Sequence, residues 1–178
     1  LVEQEPNYTY VTARILLDNI RTESLTYLGM QKQATQAEMQ SLYPQAFRNF
    51  LAKGVENEIL NPELLEMDIE KLGQAIDPSR DNLFTYLGLQ TLYDRYFIHD
   101  TEIRYELPQV FFMRVSMGLA LREENREERA IEFYNLLSSF DYMSSTPTLF
   151  NSGTKHSQLS SCYLTTVPDD LHGIYGAI

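Results

Sequence analysis

The 178 residues carry 25 acidic and 14 basic side chains, a formal net charge of −11 at pH 7, and a single cysteine. The acidic balance has the wrong sign for nucleic-acid binding, which needs clustered lysine and arginine, and no apolar run approaches the roughly 20 residues of a membrane span. One cysteine excludes an intrachain disulfide framework and a cysteine-cluster metal site, and it fits a reducing, cytoplasmic compartment best. The apolar content of 43% is enough for a folded core.

Apolar residues at helical spacing predict four helices in the first 97 residues. Thr9 would cap the first helix, and Pro44 would lie in the first turn of the second. Asn61 and Pro62 are typical of a cap and a first helical position in the third. The predicted helices run from Tyr10 to about Leu28, from Tyr43 to Leu60, from Asn61 through Leu72 and from Asp81 to Phe97, and their apolar faces include Val11 and Ile15 in the first and Leu83 and Leu87 in the fourth.

Residues 97–106 (FIHDTEIRYE) predict a short hairpin, because their polarity alternates around the His-Asp pair. Leu107-Pro108 then begins a helix that is predicted to end at about Arg122. A charged turn separates it from a helix over about Glu127 to Phe140. This part of the sequence therefore predicts a helical bundle with one hairpin.

Beyond Asp141 the composition shifts to serine, threonine, asparagine, glycine and proline. This composition predicts a long loop, and loops of this length usually carry function. Residues 162–167 (CYLTTV) predict a strand that ends at Pro168. The aspartates at 169–170 would cap a final helix that begins near Leu171.

Cys162 lies at the junction of the polar loop and the predicted strand, directly after Ser160 and Ser161. A free cysteine is usually buried and inert. A thiol flanked by hydroxyls at the start of a strand could also face a polar ligand. Both interpretations stay open on the residues alone.

Thr146 and the polar residues after it admit two interpretations as well. Thr146-Pro147 is typical of an ordinary turn. In the alternative interpretation, the Thr146 hydroxyl and nearby backbone N–H groups hold a phosphate. Residues 151–154 (NSGT) offer similar donors and admit the same two interpretations. Asp169 and Asp170 are most simply a helix cap, although an acid beyond a strand can also hold a ribose hydroxyl. No metal site is predicted, because the histidines are widely separated: His99, His156 and His172.

Three segments in the same order carry a resemblance to a known family: residues 106–121 (ELPQVFFMRVSMGLAL), 130–154 (AIEFYNLLSSFDYMSSTPTLFNSGT) and 158–178 (QLSSCYLTTVPDDLHGIYGAI). They closely resemble the large, catalytic subunit of class I ribonucleotide reductase, the aerobic form that reduces ribonucleoside diphosphates. The resemblance implies a mainly α segment, a helical bundle with a short hairpin, that leads into the first strand of a ten-stranded α/β barrel. It implies three parts: residues 1–8 as the trailing edge of an ATP-cone or a linker, 9–140 as the helical N-terminal domain, and 141–178 as loop, first barrel strand and start of the next helix.

The resemblance also assigns roles to particular residues. Cys162 matches the redox cysteine of the first strand, one of two thiols that become a disulfide when the ribose 2′-hydroxyl leaves as water, and it borders the substrate. Thr146 and Ser161 match positions that contact the substrate nucleotide. The start of the allosteric specificity site, where a deoxynucleoside triphosphate binds at the dimer interface, matches Asp169, Asp170 and Leu171.

Partners and cofactors follow from the resemblance in the same way. It implies thiyl-radical chemistry for DNA-precursor synthesis, with the radical supplied by a metal-containing small subunit and the disulfide reduced by thioredoxin or glutaredoxin. It also implies a homodimer or higher oligomer, with ATP and deoxynucleoside triphosphates as allosteric effectors. We expect no cofactor or metal bound directly in this segment, and no nucleic acid or membrane as a partner.

The two ends suggest a piece of a longer protein. The sequence begins at Leu1 rather than methionine and stops at Ile178 without a helix-end signal. We therefore expect the second redox cysteine to lie outside these residues and the segment alone to be inactive. Two alternatives stay open: a cobalamin-dependent ribonucleotide reductase, which needs no small subunit, and a helical interaction module in which Cys162 is structural.

Overall fold

The structure, a computed structural model, describes residues 5–101 and 103–177. Helices dominate these residues, which confirms the predicted mainly α fold. Part of the predicted leading segment, residues 1–4, lies outside the described residues, as does Ile178. The α-helices are α1 (Tyr8–Tyr27), α2 (Gln36–Glu56), α3 (Ile69–Gln74), α4 (Tyr86–Arg95), α5 (Pro108–Ala120), α6 (Arg126–Ser138), α7 (Thr146–Asn151) and α8 (Leu171–Gly176).

Helix α1 begins at Tyr8 rather than Tyr10, with Asn7 in the N-cap position. The prediction that Thr9 caps this helix is wrong, because Thr9 lies inside the first turn. Its hydroxyl instead accepts a hydrogen bond of 3.1 Å from the Tyr86 backbone N–H, which joins α1 to the start of α4.

The buried face of α1 also differs from the prediction. Val11 and Ile15 are 47% and 62% exposed, so the prediction that they face the core is wrong. Ala13 and Leu17, each two residues further on, are buried instead. Residues two apart on a helix point to nearly opposite sides, so burying one pair exposes the other.

Helix α2 begins at Gln36, before the predicted Tyr43, because a capping box forms its first turn. The Thr35 hydroxyl accepts from the Glu38 N–H at 3.3 Å, and the Glu38 carboxylate accepts from the Thr35 N–H at 2.7 Å. Pro44 consequently lies inside the helix, and its predicted place in the first turn is wrong. The apolar side of this helix faces the core, where Phe47, Phe50 and Leu51 are buried.

Between α2 and α4 the chain forms short helices around α3. Asn61 caps the 3-10 helix Pro62–Glu66, as predicted, by accepting a 3.0 Å hydrogen bond from the Glu63 N–H. Asp68 caps α3 in the same way. A second 3-10 helix, Pro78–Leu83, precedes α4.

Helix α4 is shorter than the helix predicted from Asp81. It begins after Thr85, whose hydroxyl accepts a 3.3 Å hydrogen bond from the Gly88 N–H. Asp81 is buried in the preceding 3-10 helix, where it contacts other polar side chains. Leu83 and Leu87 are 48% and 73% exposed, so their predicted burial is wrong.

The predicted hairpin is confirmed: β1 (His99–Asp100) pairs antiparallel with β2 (Ile103–Arg104). Helices α5 and α6 also form as predicted and pack against each other. Helix α5 lies at the centre of the core, with every residue from Pro108 to Met117 buried. A helix buried on all sides is expected to be largely apolar around its circumference, which explains the composition of this segment apart from Gln109, Arg114 and Ser116.

The predicted loop beyond Asp141 contains α7, so that part of the prediction is wrong. Ser145 precedes the helix in an extended conformation, and Pro147 lies in its first turn, a position that proline favours. The chain after α7 returns to the end of α2, where Thr154 forms an antiparallel bridge with Leu60. Packing onto the helical domain therefore continues past the change in composition.

The strand predicted at residues 162–167 does not form. A strand needs a neighbouring strand for its N–H and C=O groups, and this segment is exposed and pairs with no strand among the described residues. The final helix is confirmed, since α8 begins at Leu171 and the Asp170 carboxylate accepts from the Gly173 N–H at 2.8 Å. None of the helices in the described residues is long and apolar enough to cross a membrane.

Candidate functional site

Thr146 is the first residue of α7 and is exposed. Its Oγ1 lies 3.2 Å from the phenol oxygen of Tyr96, which occupies the C-cap position of α4. The fold thus brings Thr146 to a tyrosine 50 residues away in the sequence. No local pattern in the sequence singles out Tyr96.

The other predicted site residues lie on an exposed segment that follows α7. Ser161, Cys162 and Asp169 are all exposed, as are Asp170 and Leu171. Within the described part of the chain, the hydrogen bonds of residues 161–177 run only among residues 158–177. The structure therefore does not join Thr146 to Ser161 or Cys162 by a hydrogen bond.

A short link ties this exposed segment to α7. The Thr148 hydroxyl donates to the Leu159 carbonyl at 3.3 Å, and the Asn151 side-chain amide donates to the Gln158 carbonyl at 2.8 Å. The chain is thus held against α7 shortly before it reaches Cys162.

The donors at residues 151–154 are engaged by the chain itself. The Ser152 hydroxyl donates to the Val115 carbonyl at 2.6 Å, and the Thr154 hydroxyl donates to the Asn151 carbonyl at 2.8 Å. Ser152 and Thr154 are also buried. The geometry favours a structural role for this group over phosphate binding.

A buried arginine holds the far end of α7. Arg114 of α5 pairs with Glu106, and neither side chain is exposed. Its Nε and Nη2 contact the two carboxylate oxygens at 2.6 and 3.2 Å. The guanidinium also donates to the carbonyls of Leu149, Phe150 and Ser152 at 3.3, 3.5 and 2.6 Å. Its five N–H donors thus face five acceptors.

The Glu106 carboxylate has one further donor, because the Ile98 backbone N–H lies 2.8 Å from its Oε2. Burial raises the pKa of Glu106, against the lowering effects of Arg114 and of this N–H. An unpaired charge in the core is costly, so Arg114 and Glu106 are expected to stay paired in the folded chain. It fixes the start of the hairpin, α5 and α7 relative to one another.

Helix α5 and the turn after α7 approach so closely that two positions require glycine. A Cβ on Gly118 would lie 2.1 Å from the Gly153 backbone nitrogen, and a Cβ on Gly153 would lie 2.9 Å from the Arg114 carbonyl. Gly153 also has a φ of +78°, in the left-handed region that favours glycine. These contacts place the chain that follows α7 directly on α5.

A second buried polar cluster lies among α1, α2, α5 and α6. Asp81 accepts hydrogen bonds from Arg21, Tyr43 and Gln109 at 3.0, 2.8 and 2.9 Å. Gln109 in turn accepts from the Tyr134 phenol at 2.9 Å. Burial raises the pKa of Asp81, and it raises the pKa of Tyr134 to about 12. We assign this solvent-excluded cluster a structural role.

The sequence holds a signal for the Arg114 cluster that its apolar pattern obscures. Arg114 lies in the apolar run VFFMRVSMGLA, where the pattern indicates only that one charged residue interrupts a core helix. Arginine is almost never fully buried unless it is paired. A buried arginine therefore predicts a nearby carboxylate, but the spacing does not say that Glu106 supplies it.

Comparison with known proteins shows which proteins the chain is similar to. The chain is 49% identical over 178 residues to the ribonucleoside-diphosphate reductase subunit alpha of Chlamydia muridarum, which covers 99% of this chain and 16% of that protein. It is 37% identical over 171 residues to the subunit alpha of Helicobacter pylori and 32% identical over 179 residues to the large subunit of Caenorhabditis elegans. These alignments cover 96% and 100% of this chain and 20% and 21% of the relatives. The family model for the ribonucleotide reductase all-alpha domain matches residues 82–157.

Residues 82–157 match the ribonucleotide reductase all-alpha domain, and nearly the whole chain is similar to the large subunits named above. The family predicted from the three sequence segments is thereby confirmed. The all-alpha match runs from the 3-10 helix before α4 through α7, so it contains Tyr96, Arg114 and Thr146. Cys162 and Asp169 lie beyond that match but within the alignments to the reductase chains. The chain spans about a sixth to a fifth of the length of these curated relatives.

Proposed function

We propose that this chain is part of the catalytic subunit of a ribonucleoside-diphosphate reductase, which makes 2′-deoxyribonucleoside diphosphates for DNA-precursor synthesis. The observation that carries the proposal is the 49% identity to a ribonucleoside-diphosphate reductase subunit alpha, which extends over 99% of the chain. This alignment reaches from the helical domain into the segment that contains Cys162. Cys162 and the polar residues before it therefore lie within the aligned region.

Cys162 would supply one of two thiols that reduce the ribose. In the proposed reaction a thiyl radical activates the substrate, and two thiols give up two electrons and two protons as they form a disulfide. The 2′-hydroxyl leaves as water, and hydrogen takes its place on the ribose. Since this chain has one cysteine, the second thiol belongs to another part of the subunit.

The helical domain leaves Cys162 free to join a site that the rest of the subunit completes. A buried, unreactive thiol would favour the structural alternative, whereas redox cysteines are reached by a substrate and a reductant. Cys162 is exposed, and it follows residues that are tied to α7. In the complete subunit we expect the first barrel strand to include this segment and to shield the thiol from water.

Thr146 and Ser161 would hold the substrate nucleotide. Both are exposed, so their hydroxyls can donate to a ligand. Neutral donors suit a diphosphate, because they compensate its charge through hydrogen bonds without placing a cation beside the radical site. The Thr146 hydroxyl, at the start of α7, and the Ser161 hydroxyl, next to the redox cysteine, would both donate to the nucleotide.

Asp169, Asp170 and Leu171 would form the start of the allosteric specificity site. Asp170 already caps α8, so its carboxylate has a structural partner in the Gly173 N–H. Asp169 is exposed, and we expect it to be the residue of the pair that contacts a deoxynucleoside triphosphate. The short chain from Cys162 to Asp169 would connect the substrate site to the effector site.

The same proposal includes the partners of the complete enzyme. A small subunit with a metal centre generates the radical, and thioredoxin or glutaredoxin reduces the disulfide after each turnover. The catalytic subunit forms a homodimer or higher oligomer, and ATP and deoxynucleoside triphosphates regulate it in the cytoplasm. The name of the relatives, subunit alpha, supports a second kind of subunit.

The proposal is tested on the complete catalytic subunit, assayed with its small subunit, thioredoxin and a ribonucleoside diphosphate. We expect Cys162→Ser to abolish thioredoxin-dependent turnover, while Ser160→Ala, at an exposed neighbour, retains it. Substantial turnover by Cys162→Ser would refute the role of Cys162. Activity that needs adenosylcobalamin and no small subunit would instead place the protein in the cobalamin-dependent class.

A further inference from the structure

The phenol of Tyr96 joins the end of α4 to the start of α7 through its 3.2 Å contact with Thr146 Oγ1. We propose that Tyr96 is a positioning residue for the substrate diphosphate: it orients the Thr146 hydroxyl so that the hydroxyl hydrogen points toward a phosphate oxygen. This inference rests on the proposed function, in which Thr146 contacts the nucleotide.

Ring packing holds the Tyr96 phenol in place. Its ring centroid lies 4.7 Å from that of Phe150 and 6.5 Å from that of Phe111. Its backbone N–H donates to the Leu92 carbonyl at 2.9 Å. Tyr96 is half-buried, so its side chain has already lost most of its rotational freedom in the fold. The hydroxyl therefore occupies a fixed position beside α7.

The far end of α7 is fixed independently of Tyr96. The Arg114 guanidinium donates to the carbonyls of Leu149 and Ser152, at the opposite end of the helix from Thr146. Because this end is held by buried hydrogen bonds, a tilt of α7 that carries Thr146 away from Tyr96 would strain those bonds. What remains free is rotation of the Thr146 hydroxyl hydrogen.

The geometry of this contact admits either hydroxyl as the donor. Because a phenol is a stronger acid than an aliphatic alcohol, we assign Tyr96 as the donor and Thr146 Oγ1 as the acceptor. The Thr146 hydrogen then points away from Tyr96, and accepting a hydrogen bond makes this hydroxyl a better donor. The 3.2 Å separation exceeds the ~2.8 Å typical of hydroxyl pairs, and we expect it to shorten when Thr146 binds an anion.

Tyr96→Phe tests this role, because it keeps the packed ring and removes only the hydroxyl. In the complete catalytic subunit with its small subunit and cytidine diphosphate, we expect KM to rise about twofold to tenfold with a smaller change in kcat. Thr146→Val should raise KM at least as much, and Thr146→Ser, which keeps the hydroxyl, should stay near the parent. Tyr86→Phe, at an exposed tyrosine of the same helix, is the control and should leave KM unchanged.

The double variant separates positioning from packing. If Tyr96 acts through Thr146, adding Tyr96→Phe to Thr146→Val leaves KM unchanged from that of Thr146→Val alone. Additive effects would overturn the inference, as would a Tyr96→Phe variant that lowers the melting temperature and kcat but not KM. In both cases a raised KM in Thr146→Val would leave the proposed function standing. An unchanged KM in Thr146→Val would overturn the inference together with the proposed role of Thr146.

Discussion

The Arg114 guanidinium and the Glu106 carboxylate form an ion pair in which neither side chain is exposed, with 2.6 Å between Nε and Oε1. The pair lies beneath α7 and holds the carbonyls of Leu149 and Ser152. It therefore couples the stability of the helical domain to the position of the helix that begins with Thr146. Removing either charge is expected to affect both.

Glu106→Gln should destabilise the chain strongly, since it leaves the Arg114 charge buried without its counter-ion. The loss of one partner from a buried pair costs about 3 kcal/mol or more. Urea unfolding of the 178-residue chain measures this cost. Glu132→Gln removes the partner of Arg129 in an exposed pair and should change stability little. Equal effects of the two substitutions would contradict the importance of the buried pair.

Gly118→Ala should separate α5 from the turn after α7. The new Cβ would lie 2.1 Å from the Gly153 nitrogen and 2.4 Å from the Ser152 hydroxyl, so the backbone must move. We expect a loss of at least about 2 kcal/mol in unfolding free energy. Gly73→Ala in α3 meets only contacts of 3.4 Å or more and is the control. A Gly118→Ala chain as stable as the parent would show that this close approach is absent in solution.

Stability should fall as the pH rises above 10, because buried tyrosines stay protonated in the fold. Burial raises the pKa of Tyr134 from 10.0 to about 12 and raises that of Tyr43 well above 10. Between pH 10 and 12 the unfolded chain loses the phenol proton that the folded chain keeps. Each buried tyrosine therefore lowers the free energy of unfolding by up to about 1.4 kcal/mol per pH unit. Below pH 10 the contribution is fully present.

Tyr134→Phe checks this pH dependence. The variant loses the hydrogen bonds of its phenol to Gln109 and Asp77, so it is less stable at neutral pH. Its urea midpoint should nevertheless fall less steeply between pH 10 and 12 than that of the parent. The exposed Tyr142→Phe should keep the parent slope. An unchanged slope in Tyr134→Phe would contradict the assigned burial of the phenol.

Asp169→Asn should weaken effector control in the complete subunit. The carboxylate is exposed, and the proposed contact with a deoxynucleoside triphosphate depends on it. We expect the relative rates on two ribonucleoside diphosphates to respond less to the effector. The measurement is a competition between both substrates with and without effector, and Asp141→Asn is the control at another exposed aspartate. A full response in Asp169→Asn would remove Asp169 from the specificity site.

Sequence patterns predicted the elements whose formation depends on nearby residues. The hairpin, α5 and α6 follow from alternation, a proline at a helix start and apolar spacing, and Asn61 and Asp170 cap helices as predicted. The early start of α2 was also readable from Thr35 and Glu38, a capping box that the apolar spacing did not reveal.

The remaining features depend on contacts that are distant in the sequence. Arg114 meets the carbonyls of α7 35 or more residues away, and Tyr96 meets Thr146 across 50 residues. No local spacing specifies such pairs. The segment CYLTTV has strand composition, but a strand also requires a partner, and the described residues provide none. The family resemblance predicted the candidate substrate residues, Thr146 and Ser161. The contact of Thr146 with Tyr96 could be found only from the structure.

Cys162 is the most direct test of the proposed enzyme, because its oxidation must accompany product formation. The complete subunit is reduced, freed of reductant and incubated with the small subunit and excess cytidine diphosphate until product formation stops. Remaining thiols are then alkylated, and the peptide that contains Cys162 is analysed by mass spectrometry. We predict that Cys162 is found in a disulfide with a cysteine from another part of the subunit. Deoxycytidine diphosphate formed while Cys162 remains a free, fully alkylated thiol would contradict the proposal.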